Sequence, residues 1–99
     1  MEKIRTILLL AICVCAACET APPVQEMSDA RQAIEVAREA GAEVLAAIHL
    51  RAAENYLASA EKKLTERAFN QARRDAVQAK MKALDALRAS ENVQDTSNN

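Results

Sequence analysis

Leu64 and Phe69 stand five residues apart in a sequence whose apolar positions otherwise step by three and four. Before them, Leu50, Ala53, Leu57, Ala60 and Leu64 form a heptad-like seam; after them, Phe69, Ala72, Ala76, Ala79, Ala83 and Ala86 form a second. Seams of this kind belong to helices that pack along their length. In one straight helix the five-residue step would rotate the apolar stripe by about 100°. Continuing the first seam would instead bury Arg67 or Ala68, then Gln71, Asp75 and Gln78. A break over Thr65-Glu66-Arg67-Ala68, with Thr65 as a cap for the next helix, removes the conflict and predicts an antiparallel helical hairpin. No glycine or proline stands there, so the other reading is one uninterrupted helix over 44–92 that assembles as a coiled coil.

The single glycine, Gly41, follows the stripe Ala30, Ala33, Ile34, Ala37 and Ala40 and reads as the end of a first helix, with Ser28 or Asp29 as its N-cap. Apolar residues make up 51% of the chain but aromatic ones only 2%, so alanine must supply most of the core and helix axes must approach closely. The expected fold is all-α: a helical hairpin plus an N-terminal helix, a small three-helix bundle over 28–92, with a disordered tail over 93–99. Val77, Met81, Leu84 and Leu87 flank the second seam and make its helix more broadly apolar than one partner covers, so the first helix is expected to cover part of it. Tyr56 and Phe69 are expected in the core or packed at the hairpin end.

All three cysteines, Cys13, Cys15 and Cys18, fall within six residues. They are too close together to staple a fold, and the only other soft ligand, His49, is too distant for a zinc site. Lys3 and Arg5 precede the apolar run Ile7 to Val14, and the small Ala16-Ala17 follow, the layout of a signal peptide over 1–17. As a helix, Ile7 to Ala17 spans about 16 Å against a bilayer core of about 30 Å, too short to remain as a span.

Cys15-Ala16-Ala17-Cys18 resembles the lipobox of bacterial lipoproteins, with Cys15 standing where leucine is usual. The resemblance implies cleavage before Cys18 and acylation of that cysteine. Cleavage after Ala17 by ordinary signal peptidase is the alternative. Lipoproteins as a class carry several acyl chains on this cysteine, which gives durable attachment where one chain would not. A lipid anchor places the chain in the cell envelope on the periplasmic side. Glu19 is not the aspartate that can retain such proteins in the inner membrane, which favours the outer one. Residues 18–27 read as the lipidated cysteine and a flexible, proline-bearing tether, of which 19–26 reach at most about 28 Å when extended.

From Cys18 onward the chain is nearly neutral, yet its charge is segregated. Residues 19–61 hold eight acids against Arg31, Arg38 and Arg51, whereas residues 62–82 hold Lys62, Lys63, Arg67, Arg73, Arg74, Lys80 and Lys82 against Glu66 and Asp75. Either acidic and basic helices lie against each other, or the seven bases form a face for an anionic envelope partner.

The stretch from Leu50 to Leu64 (LRAAENYLASAEKKL), followed by Phe69 to Ala79 (FNQARRDAVQA), resembles a domain-of-unknown-function family of small alanine-rich helical lipoproteins in Gram-negative bacteria. Some members carry an added OmpA-like, peptidoglycan-binding domain. The likeness covers about residues 28–90, and the same grammar is similar to half of a tetratricopeptide repeat. The chain departs from the family pattern at Ala46-Ala47, where a helix-starting proline is common, and at Arg67-Ala68, where the turn often carries Gly-Asp. No OmpA-like stretch is recognised here, so cell-wall binding is not carried over.

Nothing in the sequence pairs a nucleophile with a base, and His49 reads as a surface or half-buried helix residue. Glu35 and Glu39, or Glu39 and Glu43, stand one turn apart and could share a cation, but with no His at matching spacing they read as a solvated acidic face partly offset by Arg31 and Arg38. Two aromatics are too few for nucleic-acid stacking. The expectation is therefore a non-catalytic protein with no cofactor beyond the lipid on Cys18, no nucleic-acid partner and no small-molecule substrate. One function class is a membrane-tethered adaptor for another envelope protein. The other is a structural lipoprotein that self-associates or spaces the membrane from peptidoglycan, as the murein lipoprotein does. That protein ends in a lysine joined to the cell wall, whereas this chain ends Thr96-Ser97-Asn98-Asn99, which leaves a non-covalent contact through Lys62 to Lys82.

Overall fold

The computed structural model describes residues 21–98. The signal peptide expected over 1–17 and the lipidation expected at Cys18 lie outside the described residues. Four helices follow one another: α1 (Val24–Glu39), α2 (Ala42–Leu45), α3 (Ala47–Thr65) and α4 (Phe69–Asn98), with no strand among the described residues.

The expected break over 65–68 is present, and its backbone explains how a turn forms without glycine. The Ala68 N–H donates to the Lys63 carbonyl at 2.8 Å and the Arg67 N–H to the Leu64 carbonyl at 3.0 Å. This is the paired closure of a Schellman motif, which demands a left-handed residue between the two helices. Arg67 fills that place at φ 61°. Thr65 does not cap α4; its hydroxyl donates back to the Glu61 carbonyl at 3.0 Å, within α3.

At the other end, Gly41 terminates α1 as expected, with φ 86° and its N–H donating to the Arg38 carbonyl at 2.9 Å. Its own carbonyl then accepts from Val44 and Leu45 and starts the one-turn α2, an element that periodicity did not suggest. Ala46, at φ −147°, separates α2 from α3, so the break falls beside Ala47 even without proline.

Two boundaries differ from the sequence reading. The first helix starts at Val24 rather than at a cap on Ser28 or Asp29, so Val24 to Met27 are helix and not tether. Pro23 suits a helix start because its missing N–H would be unsatisfied there anyway. Its carbonyl accepts from the Met27 N–H at 3.0 Å, and Met27 is buried. The Asp29 carboxylate accepts instead from the Gln25 side chain at 2.9 Å. The expected tail over 93–99 is helical as far as Asn98. Nothing in that segment breaks a helix, the Thr96 and Ser97 hydroxyls bond back to carbonyls four residues earlier, and Gln94 Nε2 donates to the Ala40 carbonyl at 3.1 Å.

Both seams are buried as their spacing requires. Ala72, Ala76, Ala79, Ala83 and Ala86 of α4 are fully covered, and Ser90 extends the row one step further. Leu50, Ala53 and Ala60 of α3 are buried, with Leu57 and Leu64 half-buried. The larger cluster joins Ile34, Ala37, Ala42, Ala46, Leu50, Ala53, Ala83 and Ala86. A smaller one joins Met27, Ala60 and Ala76 near the α3–α4 turn, and Leu57 packs against both. Only a few large side chains are buried, so stability rests on closely approaching backbones more than on side-chain volume.

Cross-helix contacts fix directions. Ser59 meets Asp75 across the hairpin, and Arg31 and Arg38 of α1 meet Glu61 and Glu54 of α3, both antiparallel relationships. Glu26 meets Arg73, and Ala40 meets Gln94, so α1 runs parallel to α4. The fold is an all-α three-helix bundle with one extra helical turn between its first two long helices. Tyr56 departs from its expected packing and is exposed, while Phe69 is half-buried beside the turn.

Candidate functional site

The seven bases do not share one face. Residues seven apart lie on the same side of a helix. Arg73 reaches α1 through Glu26, which puts Lys80 on the same flank, whereas Lys82 is seven residues from Asp75, which faces α3 through Ser59. Arg74 is exposed between these flanks. Lys62 and Lys63 occupy the last turn of α3, where cations complement the helix dipole, and Arg67 sits in the adjoining turn. The bases thus gather most densely at one end of the bundle, around the α3–α4 turn, and thin out along α4.

Arg73 stands apart from the rest. Its guanidinium is shared among Glu26 at 3.3 Å, Asn70 at 3.3 Å and the Ala21 carbonyl at 3.1 Å. It ties Ala21 and the first turn of α1 to α4. Among the described residues, no ion pair engages Lys62, Lys63, Arg67 or Arg74.

In the acidic half Glu35, Glu39 and Glu43 are exposed, and Arg38 offsets them as expected. Arg38 lies among three carboxylates, 2.9 Å from Glu54, 3.4 Å from Glu35 and 3.8 Å from Glu43. The hydrogen bond that Arg38 donates to Glu54 chiefly holds the Arg38 pKa above its ordinary value, against some desolvation. A cation that is raised in the folded state contributes at every pH below its unfolded value and loses that contribution only in strong alkali. A groove of about 420 Å³ between α1 and α3 is lined by Ile34, Leu57, Arg31, Arg38, Glu54 and Glu61. Its charged rims are paired across it, Arg31 with Glu61 at 3.5 Å and Arg38 with Glu54. These are α1–α3 pairs, arginine from the acidic half to acid on α3. The segregation seen in sequence becomes a difference between the two ends of the bundle, and Glu26–Arg73 is the one ion pair among the described residues that joins an acid of 19–61 to a base of 62–82.

His49 is exposed, and among the described residues no group of three His, Cys, Asp or Glu side chains is placed to hold a metal ion. No helix of the described residues is long and apolar enough to cross a membrane. Val77 and Met81, one turn apart on α4, are 41% and 52% exposed, while Leu84 and Leu87 are half-buried. Helix α1 therefore covers only part of the broad apolar face of α4. The seams foretold that breadth, but not which pair would be left uncovered.

Fold and surface together define a small alanine-seamed helical bundle with one basic end and an uncovered apolar pair on its longest helix. The family described as Domain of unknown function (DUF4398) matches residues 25–97, and the chain belongs to it. No curated protein and no solved structure matches the chain.

Proposed function

We propose that this protein is a lipid-anchored envelope lipoprotein whose bundle is a non-catalytic interaction module, held on the periplasmic side of the outer membrane through Cys18. The observation that carries this reading is the position of Ala21, whose carbonyl is tied to Arg73 of α4. Ala21 stands three residues after the lipobox-like cysteine, so an acylated Cys18 would hold the bundle close to the bilayer. The non-catalytic part is supported by how the acids are used: Glu35, Glu43 and Glu54 gather on Arg38, and Glu26 and Glu61 on Arg73 and Arg31. Each of these carboxylates is taken up in an ion pair between helices or within one, rather than set against a nucleophile.

The surface offered to a protein partner is the exposed Val77–Met81 pair on α4, to which an apolar helix stripe could be added. The same pair favours a second reading, a structural lipoprotein that associates with its own copies or contacts peptidoglycan, since a bundle this small gains stability by covering such a face.

In-cell crosslinking followed by pull-down from detergent-solubilised membranes tests the choice, comparing wild type with Val77→Ser/Met81→Ser. A distinct envelope protein captured by wild type and lost in the variant supports the adaptor. Recovery of only the chain itself supports the structural reading. Cys18→Ser should move the protein out of the membrane fraction, and retention there would sink the anchor.

A further inference from the structure

Ala21 and the densest group of unpaired bases lie at the same end of the bundle. Arg73 binds the Ala21 carbonyl and Glu26, and Met27 packs with Ala60 and Ala76, so the N-terminal residues lie beside the α3–α4 turn. Lys62, Lys63, Arg67 and Arg74 surround that turn without ion-pair partners among the described residues, with Glu66 exposed among them; of the other acids at this end, Glu26 and Glu61 are paired with Arg73 and Arg31, Asp75 accepts from Ser59 and Asp29 accepts from Gln25. Cys18 is three residues before Ala21, a separation of at most about 11 Å along a trans chain. The 30 residues of α4 carry the opposite end about 45 Å away. That end exposes Glu39, Glu43, Glu91 and Asp95 against Arg51 and Arg88.

We propose that the α3–α4 turn end is a docking surface for anionic phospholipid headgroups, with Lys62, Lys63, Arg67 and Arg74 on the headgroup phosphates, so that the bundle stands end-on to the membrane. This rests on the Cys18 anchor argued above. The tether reach brings these bases to the headgroup layer, where the Debye length of about 8 Å leaves them attracted to surface charge. Lysine supplies compact point charges, and arginine two parallel donors matched to a phosphate. The acidic far end lies several Debye lengths out, where the surface neither repels nor reorients it. Anchored through Cys18, the bundle meets the headgroup surface at the end that carries Ala21 and these bases.

The test uses the mature lipidated protein in phosphatidylcholine vesicles with and without phosphatidylglycerol. Acylation blocks the one thiol of the mature chain, so a single fluorophore can be placed on Thr65→Cys at the turn or on Asn92→Cys at the far end. Quencher-bearing headgroups should quench the Thr65 label strongly and the Asn92 label weakly. The difference should grow with phosphatidylglycerol and collapse in Lys62→Ser/Lys63→Ser/Arg67→Ser/Arg74→Ser, each lost charge weakening surface attraction on the order of fivefold. High salt on the unsubstituted protein should give the same collapse without any change that could disturb folding. Equal quenching at both positions, or quenching at Thr65 indifferent to lipid charge, salt and the four substitutions, overturns the proposal and returns the basic end to a protein or cell-wall partner. Label uptake by the protein without an added cysteine would show Cys18 to be unacylated, and then it is the anchor that has failed.

Discussion

Arg73 and Glu26, 47 residues apart in sequence, meet at 3.3 Å where the first turn of α1 lies against α4. Both side chains are about one-third exposed, and the same guanidinium holds the Ala21 carbonyl, so this contact ties Ala21 and the first turn of α1 to α4. Arg73→Ala should cost about 1 kcal/mol once solvent screening is allowed for. Its specific sign should be faster amide exchange at Met27, whose N–H bonds the Pro23 carbonyl. An unchanged denaturation midpoint with unchanged exchange would mean that burial of Pro23 and Met27 pins this end alone.

Arg67 adopts the left-handed conformation that the Schellman turn requires, at φ 61°. A side chain there costs about 1–2 kcal/mol, part of which glycine returns as extra freedom of the unfolded chain. Arg67→Gly should therefore stabilise the protein by about 0.5–1 kcal/mol, whereas Arg67→Ala should be near neutral. Chemical denaturation of the two variants checks this, and a glycine variant weaker than the alanine one would exclude the left-handed turn.

Gly41 gives the converse case. At φ 86° an added Cβ would be strained by the backbone alone, and it would stand 3.4 Å from Leu45 Cδ1. Gly41→Ala should cost about 1–2 kcal/mol. The check is the urea midpoint; an unaffected value would mean that α1 runs on into α2 without the turn.

Ala76 is fully buried in the cluster with Met27 and Ala60, where α4 meets both other long helices. Ala76→Leu adds volume with no space to receive it and should cost about 1–3 kcal/mol. An unchanged melting temperature would show that the axes do not approach closely at this alanine.

Helix positions, buried faces and the hairpin break were legible in the sequence because each is local. A three-and-four step marks a face, and the five-residue step from Leu64 to Phe69 can be absorbed only by rotation or a turn. Gly41 marked its own turn because few other residues take its φ. What misled the boundaries was also local: Ser28 and Asp29 are good caps, but Pro23 with a buried Met27 starts the helix earlier. The polar residues after Val93 carry no seam, yet they hold no breaker, and Gln94 gains a partner on α1. Val24 to Met27 and the last turns of α4 are therefore set by contacts with distant parts of the chain. Only tertiary packing could decide that α1 runs along α4 and antiparallel to α3, that Arg38 closes on Glu54, that Arg73 holds Glu26 and Ala21, and that the remaining bases crowd the end where the chain enters. Those relationships join residues 16 to 52 positions apart. Periodicity fixes the azimuth of a side chain on its own helix, while its partner depends on how separate helices are set against one another.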